Sequence, residues 1–372
     1  MRRHFRRLLL GSVLLCVACA PIASLPPLPS DEVEAERRRQ QIDQLRHYYA
    51  QLHRLDSVAF RLRTANREFC NGWVSAQIGL YAVTPQSLPR KYRSFSAEAL
   101  NLTWARPTVI SVVEDSPAAA AGIVTGDEII AFNGELIPVR STAGWIGGWL
   151  KANGEKQIRV DLRRHGINQT VTVTPVLACA IPIALQTSEK VNAETDGTVI
   201  TIYSAILGIA HTDAQLAVIV GHELAHANLG HHEKKQANAL LGTFGGAIVD
   251  TGFLLGGVST GGAFTKQFGL AGARAFSVGF EREADYVGSY YAARAGYSLD
   301  GAEETWREFG KQDPDNIRFA GTHPTTSMRI VQMQKAAAEI AEKQRRNLPL
   351  VPELKAIQAN AASTTNSGET IR

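Results

Sequence analysis

The sequence carries little net charge for its length. Its 39 basic and 35 acidic side chains leave a formal charge of +4 over 372 residues. Part of the basic excess stands at the extreme N-terminus, at Arg2, Arg3, Arg6 and Arg7. Nucleic-acid binding relies on an excess of basic side chains that neutralise phosphates. Because the charges here are nearly balanced, we expect no nucleic-acid partner. No internal repeat is visible either, which excludes a repeat architecture.

Cysteine is also scarce, with four in the chain. Cys16 and Cys19 stand near the N-terminus, so only Cys70 and Cys179 fall in the part expected to fold. An exported chain meets an oxidising compartment, where two such thiols favour a disulfide. The alternative is two separately buried, apolar cysteines.

The N-terminus lacks an apolar run long enough to span a bilayer. A basic stretch precedes a short apolar run at residues 8–17, which is typical of an export signal. The residues that end at Cys19 resemble the end of a lipoprotein signal over residues 1–19, which implies an acylated Cys19 as the mature N-terminus. A plain cleaved signal and an uncleaved anchor are the alternatives. Ala20 is not the aspartate that favours inner-membrane retention, so we expect a lipid anchor at the periplasmic face of the outer membrane.

Residues 20–70 are predicted to form a tether and a helix. Prolines concentrate in residues 21–29, and the charged segment after them carries apolar side chains at spacings of three or four. Those side chains are Ile42, Leu45, Tyr49 and Leu52. The spacing predicts an amphipathic helix.

Residues 71–180 have the texture of a small β-rich domain. A predicted strand at residues 108–113 precedes a short helix at 116–122, and residues 126–134 predict a strand that runs into an Asn-Gly hairpin turn. This order resembles a PDZ domain. The resemblance implies a partly open β-barrel that binds an extended peptide tail at a sheet edge. The loop at residues 77–80, where a terminal carboxylate would bind, departs from the usual Gly-Leu-Gly-Phe form.

The resemblance also bears on the two cysteines. The ends of a PDZ fold lie near one another, and Cys70 and Cys179 flank this module. It therefore predicts a disulfide between them.

The second unit, residues 183–342, is mostly helical by pattern. It opens with a strand-like segment at residues 198–203, which we expect to offer an edge to substrate. Residues 239–264 hold eight glycines and one charged residue, Asp250, in an otherwise apolar run. A transmembrane segment is one interpretation, but this much glycine weakens a helix, so an irregular loop or a helical hairpin is favoured. Residues 343–372 are expected to be a disordered tail.

One helix of the second unit carries a metal-binding pattern. It is predicted to begin at Thr212 and to continue through His222, Glu223 and His226. A separation of four residues puts both imidazoles on one helical face, roughly 5–6 Å apart, so that they can share one cation. Glu223 lies on the flank, where it can hold a water bound to that metal. By itself, the motif also fits two helical histidines that bind nothing.

Two segments offer a third ligand. His232 has the spacing of the third histidine in metzincins, but a continuing helix points it away from the metal. His231 and His232 are therefore interpreted as a pair at a helix C-terminus, where imidazolium meets the negative end of the dipole. Glu281 and Asp285 share a helical face, so one can bind the metal while the other accepts the remaining N–H of a ligand histidine. Glu283 is expected to face solvent.

The combined pattern resembles the gluzincin family that includes the HtpX-like heat-shock peptidases and the CAAX prenyl proteases, metallopeptidase family forty-eight. The matching positions, in the family's order, are residues 191–193, His222, Glu223, His226, Glu281, Asp285, Gly288, residues 322–324, Arg329 and Ile330. The resemblance implies one Zn²⁺ on His222, His226 and Glu281. It also implies Glu223 as the catalytic base and supports Asp285 as the partner of a ligand histidine.

The expected fold class is α+β, a mainly helical zincin-type metalloprotease domain with a small β-sheet behind the PDZ domain. The expected function is a zinc-dependent endopeptidase of the cell envelope that hydrolyses misfolded or unassembled envelope proteins, with the PDZ domain recruiting substrate. His323 either approaches the open side of the metal, to bind the oxyanion or to block the position at rest, or only fixes its turn. The alternative function is an envelope chaperone or assembly factor with a structural or silent zinc site, although such a site has no need of Glu223.

Overall fold

The computed structural model describes residues 26–274, 277–312 and 326–354. The elements up to residue 179 are α1 (Ser30–Ala65), β1 (Val74–Gln77), β2 (Leu80–Val83), α2 (Arg93–Leu100), β3 (Thr108–Val112), α3 (Pro117–Ala120), β4 (Glu128–Phe132), β5 (Glu135–Leu136), α4 (Thr142–Asn153), β6 (Ile158–Arg164), β7 (Ile167–Val173) and β8 (Val176–Cys179). The elements after it are β9 (Ile183–Gln186), β10 (Ala193–Thr195), β11 (Ile200–Tyr203), α5 (Ser204–Ile209), α6 (Asp213–Asn228), α7 (His231–Leu255), α8 (Ala263–Arg274), α9 (Ser277–Arg294), α10 (Glu304–Gln312) and α11 (Thr326–Arg345).

Helix α1 is long because its sequence contains neither glycine nor proline and is rich in Glu, Arg, Gln, Leu and Ala, which are good helix formers. It crosses the boundary between two compact units, residues 1–44 and 45–372. Within the second unit, Leu55, Val58 and Leu62 of α1 are fully buried in the same core as the C-terminal helices. From Leu45 onward the helix is thus part of the second unit.

The β-rich segment folds around one antiparallel sheet with the strand order β2-β3-β4-β6-β7, and β5 pairs with β4. Helix α4 packs its Trp149 against Phe132 of β4, with 5.3 Å between the ring centroids. The strands and the short helix predicted between residues 108 and 134 are present as β3, α3 and β4. Strand β2 is the last strand at one end of this sheet.

Strands β1 and β8 form a separate antiparallel pair that joins the two ends of the β-rich segment. Val74 of β1 lies opposite Cys179 of β8. A disulfide joins Cys179 to Cys70, the pair that the sequence selected. The bond therefore joins the two ends of the β-rich segment, and both cysteines are buried in the core that the later helices form.

A three-stranded sheet with the order β10-β11-β9 opens the helical half. Strands β11 and β9 run parallel, whereas β10 and β11 run antiparallel. The strand predicted at residues 198–203 is β11, but it is the middle strand, so the expectation that it offers an edge to substrate is wrong. The two edge strands are β10 and β9. Strand pairing joins residues that are distant in sequence, and the local pattern does not give their order.

The glycine-rich run at residues 239–264 is a helical hairpin rather than an irregular loop. Helix α7 continues through it to Leu255, and α8 returns from Ala263. Gly242 and Gly246 of this run stand where the two helices touch. A Cβ atom at Gly242 would lie 2.1 Å from the carbonyl oxygen of Phe268, so the interhelical distance itself requires glycine. Among the described residues, α7 is the one helix long and apolar enough to cross a membrane by length and composition.

The helical half extends beyond the boundary predicted at residue 342. Helix α11 ends at Arg345, and Leu350 and Leu354 pack against the core. The prediction of a disordered tail is therefore wrong for residues 343–354, because these two leucines supply apolar contacts to the core. The rest of the predicted tail lies outside the described residues.

Candidate metal centre

Helix α6 begins with a capping box that fixes its register. The side chain of Thr212 accepts a hydrogen bond from the backbone N–H of Gln215, and the Gln215 side chain accepts one from the N–H of Thr212. One helical turn separates His222 from His226, and both side chains are buried. Their Nε2 atoms lie 3.1 Å apart, so the two imidazoles point to one place.

Glu281 reaches the same place from helix α9. One carboxylate oxygen lies 3.4 Å from Nε2 of His222, and the other lies 3.5 Å from Nε2 of His226. The carboxylate is buried, and Nζ of Lys235 lies 3.5 Å from it. Two helices that are distant in sequence therefore bring these three ligand atoms together.

A glycine pair allows helices α6 and α9 to approach this closely. A Cβ atom at Gly288 would lie 2.7 Å from the backbone nitrogen of His222. A Cβ atom at Gly221 would lie 2.8 Å from the carbonyl oxygen of Gly288. Because real Cβ atoms do not come this close, any larger residue would force the helices apart. Glycine at this crossing sets the distance between His222 and Glu281.

Asp285 lies one helical turn after Glu281 and orients His222. Its Oδ1 atom is 2.8 Å from Nδ1 of His222. Arg329 of α11 donates to both carboxylate oxygens of Asp285, at 2.9 and 2.6 Å. The guanidinium group in turn lies over the ring of Trp306, 3.4 Å from its centroid. The sequence pointed to Asp285, whereas Arg329 was only part of a motif and receives this clamping role from the structure.

His231 is the site residue that sequence reasoning missed. The structure places it at the first position of α7 rather than at a helix C-terminus, so the earlier interpretation is wrong. Gly230, with φ of 64°, adopts the left-handed conformation between the two helices and turns the chain back toward the metal centre. The side chain of His231 is buried, and its Nδ1 atom lies 2.9 Å from Nδ1 of His226.

The outer ring nitrogen of His231 lies 3.1 Å from a carboxylate oxygen of Glu283. Glu283 is 41% exposed, so it joins the buried histidine to the surface. His232 instead pairs with Gln236 and contributes no ligand atom to the three-residue cluster. The sequence could have indicated His231 by its separation of five residues from His226. That separation brings the two side chains together only because the chain turns at Gly230.

The pKa values of the histidines reflect burial and neighbouring charge. Burial lowers the pKa of His226 to about 4, and it lowers the pKa of His231 to about 4. Burial and the Arg329 guanidinium also act to lower the pKa of His222, but the carboxylates of Asp285 and Glu281 outweigh them and raise it to about 9. In the metal-free chain His226 is therefore neutral at pH 7, and a metal must displace a proton from His222.

The donor set fits a zinc ion. The ligand atoms of His222, His226 and Glu281 all lie within 4.8 Å of one another. Other side chains engage both Nδ1 atoms, which leaves the Nε2 atom of each histidine for the ion. Two imidazoles and one carboxylate are a ligand set of catalytic zinc, in which the fourth position belongs to water or substrate.

A cleft of about 340 Å³ opens beside these ligands. Ala193, Glu194 and Thr195 of the edge strand β10 line one side, and Glu223 lines the cleft next to the metal ligands. The side chain of Glu223 is largely buried. A carboxylate, a metal-ligand cluster and a sheet edge therefore share one opening.

Two predicted site residues lie outside the described residues. His323 belongs to residues 313–325, and Cys19 belongs to the first 25 residues. The roles predicted for them rest on the sequence.

Comparison with known proteins divides the chain into two matched regions. Residues 181–337 match the model of Peptidase family M48, and residues 108–164 match that of the PDZ domain. The chain is 26% identical over 148 residues to the mitochondrial metalloendopeptidase OMA1 of Saccharomyces cerevisiae, which covers 37% of this chain and 41% of that protein. It is 37% identical over 79 residues to a probable periplasmic serine endoprotease DegP-like of Marinomonas sp. (strain MWYL1), which covers 21% of this chain and 16% of that protein. The chain thus spans less than half the length of these two relatives.

Among solved structures, the HtrA3 PDZ domain bound to a phage-derived ligand (FGRWV) is 20% identical and covers 28% of this chain and 88% of that chain, with a TM-score of 0.21. The HtrA-type protease AlgW with decapeptide is 22% identical and covers 28% of this chain and 30% of that chain, with a TM-score of 0.22.

Proposed function

We propose that this chain, which carries a Peptidase family M48 domain behind a PDZ domain, is a zinc-dependent metalloendopeptidase of the cell envelope. The observation that carries the proposal is the shared cleft, in which Glu223 lies beside the cluster of His222, His226 and Glu281. A purely structural zinc site closes with four protein ligands and needs no adjacent carboxylate.

The chemistry assigns one task to each group of residues. His222, His226 and Glu281 would hold the zinc, which supplies a Lewis acid and lowers the pKa of a bound water to about 7. Glu223 would take the proton of the attacking water and deliver it to the leaving amine. Asp285 keeps the His222 ring in position for this step.

Substrate would bind as an extended strand. Strand β10 is the edge strand of the small sheet that lines the cleft, so an unfolded segment can pair with it and present a peptide bond to the metal. This geometry favours unfolded chains, because a folded segment cannot offer its backbone to a sheet edge. Misfolded or unassembled envelope proteins are the proposed substrates.

The PDZ domain would recruit or gate such chains. A cavity of about 340 Å³ lies between the loop at Gly79, the helix α4 and the helix α1, which contributes Phe60 and Arg63. Pro182, just before β9, lines it as well. A peptide tail in this cavity would therefore contact the PDZ domain and the segment that enters the peptidase domain. We also propose, from the sequence, that the PDZ domain is a partly open barrel and that α1 is amphipathic.

The location in the envelope is proposed from the N-terminal sequence. A lipid on Cys19 would hold the mature chain at the periplasmic face of the outer membrane. Membrane attachment by this route is independent of the metal centre.

The test compares cleavage of a permanently unfolded reporter protein by the wild type and by Glu223→Gln, each with and without a chelator. We expect Glu223→Gln to retain zinc and to lose activity by about 10²–10⁴-fold, the usual contribution of general acid–base catalysis. Glu233→Gln, which changes an exposed carboxylate on α7, is the matched control and should cleave normally. Equal cleavage by every sample would end the enzyme hypothesis and leave the alternative of a chaperone or assembly factor.

A further inference from the structure

The helical hairpin α7–α8 carries an unusual share of the exposed apolar surface. Of the 20 large hydrophobic side chains exposed among the described residues, ten lie between residues 240 and 270. They are Leu240, Leu241, Phe244, Ile248, Phe253, Leu254, Leu255, Val258, Phe268 and Leu270. Such a concentration of exposed apolar side chains on one helical hairpin is typical of an interaction surface.

In the hairpin, small residues lie between the helices and large apolar residues lie outside, the reverse of a helix pair in water. Small residues occupy the interface, where Gly242 and Gly246 approach the backbone of α8 so closely that a Cβ atom would lie 2.1 and 2.2 Å from a carbonyl oxygen. Each glycine costs about 1 kcal/mol of helix stability relative to alanine. Large apolar side chains point outward instead, which is the arrangement of helices that pack in an apolar surrounding.

The charged group near the turn of the hairpin is hydrogen-bonded within the hairpin. Asp250 is the only charged residue from 236 to 265. Its carboxylate accepts hydrogen bonds from the hydroxyls of Thr260 and Thr265, and from the backbone N–H groups of Phe264 (3.2 Å) and Thr265 (2.7 Å). In the turn itself, the N–H of Val258 donates to the carbonyl oxygen of Phe253 at 2.9 Å. Internal satisfaction of polar groups is what a hydrocarbon surrounding requires.

The positions of the charged residues along α8 limit how much of the hairpin could enter an apolar surrounding. Its only charged residues are Lys266 and Arg274, both basic and both exposed. Lys266 lies about one turn into the helix, so the part of α7 beyond its level is roughly ten residues, or about 15 Å long. This length reaches into one leaflet and cannot cross a hydrocarbon core of about 30 Å. Lys266, at this level, complements anionic lipid headgroups, whereas Arg274 lies about 12 Å farther from the tip along α8.

We propose that the tip of the α7–α8 hairpin inserts into one leaflet of a lipid bilayer, with Lys266 at the level of the headgroups. The contact is independent of any lipid on Cys19, because it rests on side chains of the folded domain. It also gives the catalytic centre a defined distance from the membrane. His231, which contacts His226, is the first residue of α7, and about 15 of the 25 residues of this helix, or roughly 22 Å, lie between it and the level of Lys266.

The experiment labels single sites in the full chain with an environment-sensitive fluorophore. Cys16→Ser and Cys19→Ser remove the reactive N-terminal thiols and the lipidation site, and the disulfide protects the remaining cysteines. Labels are placed by Leu255→Cys at the tip, by Lys266→Cys at the proposed headgroup level, and by Ile167→Cys on the exposed β7 strand as the control. Vesicles contain phosphatidylcholine and phosphatidylglycerol, with quenchers at known acyl-chain depths.

We expect the label at 255 to shift to the blue and to be quenched by deep probes, the label at 266 to be quenched by shallow probes, and the label at 167 to stay unchanged. Leu254→Asp should weaken insertion of the 255 label by at least about tenfold, whereas Leu136→Asp, at an exposed leucine of β5, should not change it. A label at 255 that stays in water in the presence of vesicles would overturn the proposal. So would a blue shift without lipid together with a dimer in sedimentation, because a second copy would then cover the tip.

Discussion

Nδ1 of His231 lies 2.9 Å from Nδ1 of His226, and its other ring nitrogen lies 3.1 Å from Glu283. Two neutral imidazoles can form a hydrogen-bonded chain here. Nδ1 of His226 pairs with Nδ1 of His231, and the second ring nitrogen of His231 pairs with Glu283. His226 would then present Nε2 to a metal ion in a fixed tautomer. His231 would act on that ion through His226 and is not one of the three clustered ligands.

Replacing His231 with phenylalanine is expected to weaken zinc binding by about 10–100-fold, the usual effect of losing such an outer partner. His231→Asn should recover part of the loss, because the asparagine side chain can again accept or donate a hydrogen bond near the position of Nδ1. Competition with a fluorescent zinc chelator measures both affinities. His232→Phe, at the neighbouring histidine, which hydrogen-bonds Gln236 and not His226, is the control, and equal weakening by both phenylalanine variants would contradict the assigned role.

The contrast between these histidines shows where the sequence was informative. His222 and His226 could be predicted because a helix converts a separation of four residues into proximity. Glu281 and Asp285 repeat the same spacing on a second helix, so their relation to each other was also predictable. His231 was assigned to a helix end because the reversal of the chain at Gly230 is a single-residue event that the hydrophobic pattern does not reveal.

The other errors have the same origin in non-local structure. The edge strands of the small sheet are β10 and β9 rather than β11, because strand order depends on pairing across the chain. Arg329 was only a motif position until α11 was seen to place it on Asp285. Glycines in the hairpin weakened the prediction of a helix, although they are what allows α7 and α8 to touch.

The crossing of α6 and α9 should be intolerant of a single methyl group. Gly288→Ala would place a Cβ atom 2.7 Å from the backbone of His222, so the helices must separate and carry Glu281 away from the histidines. We expect a loss of about 1–3 kcal/mol in the free energy of unfolding, as for overpacked cores, and weaker zinc binding. Gly279→Ala on the same helix has nothing within 4 Å of its added Cβ. That control should be neutral or stabilising, and a Gly288→Ala variant that matched it would refute the close-packing argument.

Arg329 and Asp285 should behave as a coupled, buried pair. Arg329→Met leaves the Asp285 carboxylate without its guanidinium partner, so we expect a loss of about 3–5 kcal/mol in the free energy of unfolding. The double variant Arg329→Met with Asp285→Asn should lose less free energy of unfolding than the sum of the two single variants, because it no longer buries an unpaired carboxylate. Urea denaturation of the four proteins gives the coupling energy. The exposed pair of Arg307 and Glu304, 2.9 Å apart, provides the comparison, with an expected coupling energy of about 0–1 kcal/mol. If the effects of Arg329→Met and Asp285→Asn simply added, the buried ion pair would not have the role assigned to it.

The metal-free chain should be most stable near neutral pH. Burial lowers the pKa values of His226 and His231 from 6.5 to about 4, so the unfolded chain binds more protons between these values. The free energy of unfolding therefore falls as the pH drops from 6.5 through 4. His222 acts in the opposite direction, because burial is outweighed by its carboxylate neighbours and its pKa rises to about 9. Its contribution is fully present below pH 6.5 and is lost as the pH rises through 9.

Urea midpoints measured from pH 4 to pH 9 with a chelator present would follow these two limbs. His231→Asn removes one of the two groups that resist protonation, so its midpoints should fall less steeply below pH 6.5 while the alkaline limb keeps its slope. Because His222 is untouched in this variant, the alkaline limb serves as an internal control for general destabilisation. A variant whose acid limb kept the slope of the wild type would show that His231 is not held neutral by the fold, and the hydrogen-bonded chain from His226 to Glu283 would then lose its physical basis.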